Sequence, residues 1–242
     1  MNVADASASL WEPVVAARPR WRDQQRLAFA VTALFGVVGV AALLRAAALA
    51  NRLVVLDEPA RDGFGTRAAD ADTLVTVIGV VIGIVVLGLA PSFIVWVWRA
   101  AKNQQALART PERLGSGWAI GGWFVPLANF VIPVLVVQDL WRGSDASIAA
   151  GDPRWRIANR SWLVGWWWGL FLLPLFLGSG EGANGSTSTL AEIRGRNLLA
   201  LVSMLAACAA AMLGALVVRR LGARQETCRI SLELPGDQLT SA

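Results

Sequence analysis

The sequence predicts an all-α integral membrane bundle of four spanning helices, with one proline-broken segment that re-enters the bilayer or lies at its interface. Three observations predict this class. Only 16% of the 242 residues are charged and the mean hydropathy is +0.52, whereas about a quarter of the residues in a soluble domain are charged. Several uncharged runs approach or exceed the roughly 18 to 20 residues that span hydrocarbon. One further apolar run, 118–140, contains two prolines, and it is the broken segment.

Four apolar runs predict the spanning helices of a membrane domain over 27–218. They are 27–50, 73–98, 162–178 and 198–218. A basic N-terminal segment, 1–26, precedes them, and a polar tail, 219–242, follows. In the second run, Gly79 and Gly83 form a small-residue pair that predicts close packing with another helix.

The stretch 118–140 predicts a segment that dips into the membrane and returns. Pro126 and Pro133 each lack a backbone N–H, so each interrupts a helical hydrogen-bond ladder. Asn129 lies between them, and its amide can both donate to a freed carbonyl and accept from a freed N–H. A flat interfacial helix from about 126 to 141 is a shallower alternative.

Charge counting favours the returning path over a fifth span. If the segment returns, sixteen Lys and Arg lie on the side of the termini and five on the other. If it crosses, the counts are ten and eleven, which removes the positive-inside bias of membrane proteins. All twelve tryptophans also lie near the basic side in the returning path. We therefore predict that the N-terminus is cytoplasmic. Because 21 of the 22 basic residues are Arg, a bias typical of GC-rich bacterial genomes, we predict that the membrane is the inner membrane of a bacterium.

Two stretches resemble a known family. They are FIVWVWRAAKN at 93–103 and GWAIGGWFVPLANFVIPVLVVQDLWRGSD at 117–145. Their spacing is similar to that of a bacterial multi-pass membrane family called domain of unknown function 4328, with Gly122 where a second tryptophan is expected. The resemblance extends over roughly 18–178. It implies a membrane protein with an important central motif, and it implies no activity.

The candidate site is drawn from the polar, aromatic and proline residues of this motif. Its members are Arg99, Asn103, Trp118, Trp123, Pro126, Asn129, Pro133, Asp139 and Trp141. One interpretation is structural, with satisfied backbone at the break and an ion pair from Asp139 to Arg99 or Arg142. The other is a cytoplasm-facing polar cavity in which Asn129 contacts a ligand or a lipid headgroup.

Composition argues against an enzyme. The chain has no His, so a Ser–His protease and imidazole metal ligation are excluded. No cluster of Cys and acids suits zinc, and no glycine-rich phosphate loop is present. Cys208 lies in an apolar run and Cys228 in the tail, so a disulfide is not expected. We predict no cofactor.

The predicted function is a non-catalytic membrane protein that interacts with a partner or with lipid at the cytoplasmic face. Basic residues beside tryptophans suit anionic headgroups, and a protein partner or a second copy are the other predicted partners. The net charge of +5 comes from residues that flank apolar runs, so nucleic acid is not predicted. The alternative is a small transporter or channel component that uses the break around Asn129, because discontinuous helices line transport sites.

Overall fold

A computed structural model describes residues 20–57, 64–109, 113–177 and 189–233. Its helices are α1 (Gln25–Asp57), α2 (Phe64–Ala106), α3 (Trp118–Gly121), α4 (Ile132–Gly143), α5 (Trp162–Leu177) and α6 (Leu190–Glu233). Two short 3-10 helices occupy Ala128–Phe130 and Pro153–Ile157. These ranges contain no strand, so the predicted all-α class is confirmed.

Three helices, α1, α2 and α6, are long and apolar enough to cross a membrane, and α5 is a shorter apolar helix. Two of them begin at side-chain caps. The Asp23 carboxylate accepts from the Gln25 N–H at 3.0 Å where α1 begins. Thr189 and Glu192 exchange side-chain and backbone hydrogen bonds of 2.9 and 3.3 Å at the start of α6, which is a capping box.

The long helices continue beyond the apolar runs from which they were predicted. The segment after 218 was expected to be a polar tail, but α6 continues to Glu233. Packing explains the extension, because Leu221 and Gln225 are fully buried and Cys228 is 1% exposed. Cys208 and Cys228 are both free thiols, as expected.

The four longer helices form an arc in the order α2, α1, α6, α5. Helix α1 packs against both α2 and α6, and α5 packs against α6. Helices α3 and α4 contact α2, and α4 also contacts α5, so this part of the chain closes the arc between its two outer helices. The closure lies where α1 begins and where α2 and α6 end. We call this the N-terminal end, and the other the opposite end.

An aromatic cluster fills the core near the N-terminal end. The Phe93 ring lies 5.7 Å from Phe35, 5.8 Å from Trp96, 6.0 Å from Trp123 and 5.5 Å from Trp167, between centroids. The rings come from α1, α2, α5 and the connection after α3. Aromatic contacts therefore join the closing segment to three of the arc helices.

Gly214 on α6 makes room for these rings. A Cβ at this position would lie 2.7 Å from Cε1 of Phe35 and 2.9 Å from Nε1 of Trp167. Real Cβ atoms do not approach so closely, and a well-packed core does not yield freely. The glycine is required by its neighbours rather than by its backbone conformation.

Within the described part of the chain, neither Gly79 nor Gly83 makes the close contact with another helix backbone that we predicted. A Cβ at Gly79 would lie 2.9 Å from Cζ of Arg45, so an arginine and not a helix backbone occupies the space. Around Gly83 nothing lies within 4 Å of the corresponding position. The spacing alone carried no information about the neighbour.

Candidate functional site

The segment between α2 and α5 begins and ends at the N-terminal end. Arg113, before α3, lies 3.6 Å from the Asp139 carboxylate near the end of α4. Gln104, in the last turn of α2, donates to the Leu140 carbonyl at 3.0 Å. Between these two ends, Trp168 of α5 donates from Nε1 to the Phe130 carbonyl at 2.8 Å. The segment therefore follows a returning course along the bundle.

The chain reverses at a tight turn over Pro126, Leu127 and Ala128. The Ala128 N–H donates to the Pro126 carbonyl at 2.8 Å, and Leu127 has φ 64° and ψ −41°. These values are those of the rare γ-turn with positive φ, which is strained for a bulky residue. The Leu127 side chain is 81% exposed on the protein surface. Strain at such a tip is typical of segments that their surroundings hold in place.

Asn129 does not perform the backbone role that we predicted for it. Its Oδ1 is buried and has no hydrogen-bond partner in the described part of the chain. The Phe130 carbonyl accepts instead from the indole of Trp168, which the sequence did not single out within its tryptophan run. Pro133 is buried in the first turn of α4, where its missing N–H disturbs no helical bond.

Two buried carboxamides each bind the backbone of one distant residue from both sides. Asn103 is fully buried; its Oδ1 accepts from the Arg22 N–H at 2.9 Å and its Nδ2 donates to the Arg22 carbonyl at 3.0 Å. Gln138 accepts from the Ser161 N–H at 2.9 Å and donates to the Ser161 carbonyl at 2.7 Å. The first pair joins the entry of α1 to α2, and the second joins α4 to the entry of α5.

Further carboxamides complete this arrangement. Gln225 of α6 accepts from Gln24 at 2.6 Å and donates to the Ala100 carbonyl of α2 at 3.0 Å. Gln104 packs so closely on Gly143 that a Cβ there would overlap its amide. We call Gln24, Asn103, Gln104, Gln138 and Gln225 the carboxamide cluster. It connects α2, α4, α6 and the entries of α1 and α5 through uncharged hydrogen bonds.

Arg109 fixes the loop after α4, and our sequence interpretation missed it. It is 3% exposed. Its guanidinium donates to four carbonyls, of Gly143, Asp145, Ile148 and Ala149, at 2.6 to 3.0 Å. A basic residue after a membrane helix is ordinarily assigned to the interface, so its sequence position held no signal for this role.

Asp139 pairs with two arginines, of which one was predicted. Its carboxylate lies 3.5 Å from Arg142 and 3.6 Å from Arg113. Arg99, the other predicted partner, donates instead to the Asp23 carbonyl at 3.4 Å. Asp139 thus joins the two ends of the returning segment.

The candidate tryptophans lie in different surroundings. Trp123 packs against Trp168 at 5.8 Å between ring centroids. Trp141 lies beneath the guanidinium of Arg224 at 4.8 Å. Trp118 is 43% exposed at the start of α3, and Pro126 is exposed at the turn. The structure therefore distributes the nine candidates over the last turns of α2, over α3, over α4 and over the connection between α3 and α4, and it does not bring them into a single pocket.

A basic pocket lies beside the entry of α1. It has a volume of about 370 Å³ and is lined by Arg20, Trp21, Arg22, Lys102 and Gln105. The backbone of Arg22 is held by the carboxamide cluster, and its guanidinium lies 4.7 Å from the Trp98 ring centroid. The lining carries three positive charges and no acid among the described residues, which suits an anion.

Asp145 anchors the loop after α4 as an ionised carboxylate. The Ser147 hydroxyl donates to it at 2.7 Å and the Ser147 N–H at 3.0 Å, and Arg224 lies 3.6 Å away. The Ser147 hydroxyl, more than any other group, lowers the pKa of Asp145 below its usual 3.8, and Arg224 lowers it further. The carboxylate stays charged down to acidic pH.

The interior beside the returning segment is apolar. A cavity of about 370 Å³ lies among α1, α2, α5 and α6, and its lining includes Phe93, Trp123, Phe171 and Ala211. In the described ranges no group of three or more Cys, Asp or Glu side chains is arranged to hold a metal ion. The N-terminal end thus presents a cationic pocket at its surface and an apolar cavity between the helices.

A family model described as Domain of unknown function (DUF4328) matches residues 61–223, which is more than half of the chain. The chain belongs to this family. The match to domain of unknown function 4328 extends from α2 through most of α6 and includes the whole returning segment. It begins after α1, so the basic entry at 18–22, which we had included in the resemblance, lies outside it. Neither a curated protein nor a solved structure matches the chain.

Proposed function

We propose that this protein is a non-catalytic, multi-pass membrane protein that binds anionic lipid headgroups at the N-terminal end of its bundle. The observation that carries the proposal is the basic pocket of Arg20, Arg22 and Lys102 beside Trp21. Clusters of basic residues next to a membrane surface attract anionic lipid by about 1 kcal/mol for each charge. A tryptophan at the same level suits the headgroup layer.

The surroundings of the pocket support a binding role because hydrogen bonds hold the backbone of one of its arginines. The carboxamide cluster fixes the backbone of Arg22 to α2 through Asn103. A site that is already in its bound geometry loses less conformational entropy on binding. In the proposed orientation the N-terminal end faces the cytoplasm of a bacterial cell, and α1, α2, α5 and α6 span the inner membrane.

Native mass spectrometry of the purified protein with added phosphatidylglycerol tests the binding. The double substitution Arg20→Gln and Lys102→Gln is expected to weaken retention of this lipid about 10-fold or more, because two of three charges are removed. Arg154→Gln is the matched control, since Arg154 is exposed and pairs with Asp152 outside the pocket. Equal lipid retention by all three proteins would refute the proposal.

Cysteine labelling tests the orientation. Cys208 and Cys228 are replaced by Ala, and one cysteine is then placed at Ala150 or at Ala69, which are both exposed. Ala150 follows α4 at the N-terminal end, and Ala69 lies near the start of α2 at the opposite end. An impermeant reagent is expected to label intact cells at position 69 and to reach position 150 only after permeabilisation. Labelling of position 150 in intact cells would overturn the proposed orientation.

The second candidate function is a transporter or channel component, and one observation bears on it. The buried, unpartnered Oδ1 of Asn129 provides a polar atom at the break. The cavity beside the break has an apolar lining, which favours an apolar occupant over a hydrated ion. Solute flux into reconstituted vesicles, reduced by Asn129→Ala, would support this candidate over lipid binding alone.

A further inference from the structure

A second cationic pocket lies at the opposite end of the bundle. It has a volume of about 470 Å³ and is lined by side chains of α1, α2 and α6. The polar members are Arg45, Arg52, Asp72, Arg196 and Asn197, with the exposed Thr76 at the edge. Among these described lining residues three are cationic and one is anionic. The volume is in the range of small-molecule sites.

The chain makes specific room for one of these arginines. The Arg45 guanidinium lies against the backbone of α2 at Gly79, where a Cβ would be 2.9 Å from Cζ and 3.0 to 3.1 Å from the two Nη atoms. Gly83, one turn further along, has nothing within 4 Å. The absence of a side chain at Gly79 therefore lets the Arg45 guanidinium pack against the backbone of α2.

Asn197 adds an independent observation. It is 4% exposed, and its Oδ1 accepts from Nη1 of Arg52 at 2.7 Å. Arg52 also lies 2.5 Å from the Asp72 carboxylate. The Nδ2 of Asn197 is buried and has no hydrogen-bond partner in the part of the chain that the structure describes. A buried donor without an acceptor is unfavourable, so Nδ2 of Asn197 lacks a partner that a ligand in the pocket could supply.

We propose that this pocket binds a phosphate group, as a monoester or a diester, between the guanidinium groups and Nδ2 of Asn197. Planar guanidinium groups match the oxygens of phosphate and form short, charge-assisted hydrogen bonds with them. The oxyanion supplies the acceptor that Asn197 lacks. This site is separate from the basic pocket at the N-terminal end, so the two proposals do not depend on each other.

The depth of the pocket agrees with a phosphate at the membrane surface. Arg45 lies five residues before the end of the apolar run 27–50, or about 8 Å along a helix with a rise of 1.5 Å per residue. Val75, Val80 and Ile193 share the lining with the arginines. A phospholipid provides a phosphate at this depth together with apolar chains for the apolar part of the lining. A soluble phosphorylated compound presents the same oxyanion.

Binding is measured on the full chain that carries Arg20→Gln and Lys102→Gln, so that lipid at the N-terminal end does not contribute. Native mass spectrometry titrates phosphatidylglycerol, with diacylglycerol as the lipid that lacks phosphate. In parallel, the melting temperature is compared in inorganic phosphate and in chloride of equal ionic strength. Gly79→Ala displaces the Arg45 guanidinium, and Gly83→Ala is the matched control on the same helix.

We expect Gly79→Ala to weaken phosphatidylglycerol binding about 10-fold or more and Gly83→Ala to leave it unchanged. Asn197→Asp, which still accepts from Arg52 but cannot donate, should cause a similar loss, and it provides the test if Gly79→Ala does not fold. Stabilisation by inorganic phosphate that Gly79→Ala or Asn197→Asp abolishes would assign a soluble phosphate as a source, and its absence would assign the lipid. Equal binding of diacylglycerol, or equal binding by both glycine variants and Asn197→Asp, would overturn the proposal.

Discussion

Replacing Asn103 by Ala should destabilise the protein by about 2 to 4 kcal/mol. The side chain is fully buried and forms both of its hydrogen bonds with the backbone of Arg22. Truncation leaves an N–H and a carbonyl without partners, and each such group costs about 1 to 3 kcal/mol when buried. We take the lower part of that range for each group, because the Arg22 backbone is only partly buried. The entry of α1 should separate from α2.

The free energy of unfolding is measured in mixed detergent micelles by titration with dodecyl sulfate, followed by tryptophan fluorescence. Gln25→Ala removes an exposed carboxamide from the same end of the bundle and should change stability by less than about 0.5 kcal/mol. Asn103→Asp retains the acceptor but loses the donor and buries a carboxylate, so it should destabilise at least as much as Ala. A value for Asn103→Ala within 0.5 kcal/mol of the Gln25→Ala value would refute the assigned role.

Three further outcomes follow from single contacts. Gly214→Ala should lower the free energy of unfolding by about 1 to 3 kcal/mol in the same micelle titration, because its Cβ would overlap two aromatic rings. Gly222→Ala on the same helix is the control: its Cβ meets open space, and it should stabilise the protein by up to about 1 kcal/mol. The pKa of Asp145 is depressed in the folded protein, so the stabilisation that Asp145 provides should be full above its unfolded pKa of about 4 and disappear as the pH falls through the folded pKa. Asp145→Asn should therefore lower the melting temperature near neutral pH but not at strongly acidic pH. An equal lowering of the melting temperature at both pH values would contradict this. Trp168→Phe should leave the Phe130 carbonyl unpaired and destabilise by about 1 to 3 kcal/mol; a change below that range would assign this carbonyl another partner.

The returning course of 118–140 could be predicted because its signals are additive over many residues. Prolines that interrupt helical hydrogen bonds and a bias in basic residues both report on the backbone path. The all-α class followed from composition for the same reason. Helix ends were less predictable, because α6 continues past its apolar run where Leu221 and Gln225 find buried partners. Tertiary packing, and not local hydropathy, sets that boundary.

Individual side-chain roles depended on geometry that no pattern encodes. Asn129 and Trp168 both provide an N–H near the break, and only the fold decides that Trp168 reaches the Phe130 carbonyl. Arg109 resembles any interfacial arginine in sequence, yet it is buried against four carbonyls. In the sequence, Gly79 suggested close packing with another helix, but a glycine does not identify which group packs against it. The structure identifies that neighbour as Arg45.

The uncharged nature of the carboxamide cluster has a consequence for ionic strength. Added salt screens interactions between exposed charges over about 8 to 10 Å at physiological concentrations, but amide hydrogen bonds carry no net charge to screen. Carboxamides also do not titrate. The hydrogen bonds that the cluster forms at the entries of α1 and α5 are therefore expected to persist as salt concentration or pH changes. The carboxamide contacts differ in this respect from the ion pair between Asp145 and Arg224 at the same end, whose contribution to stability depends on pH.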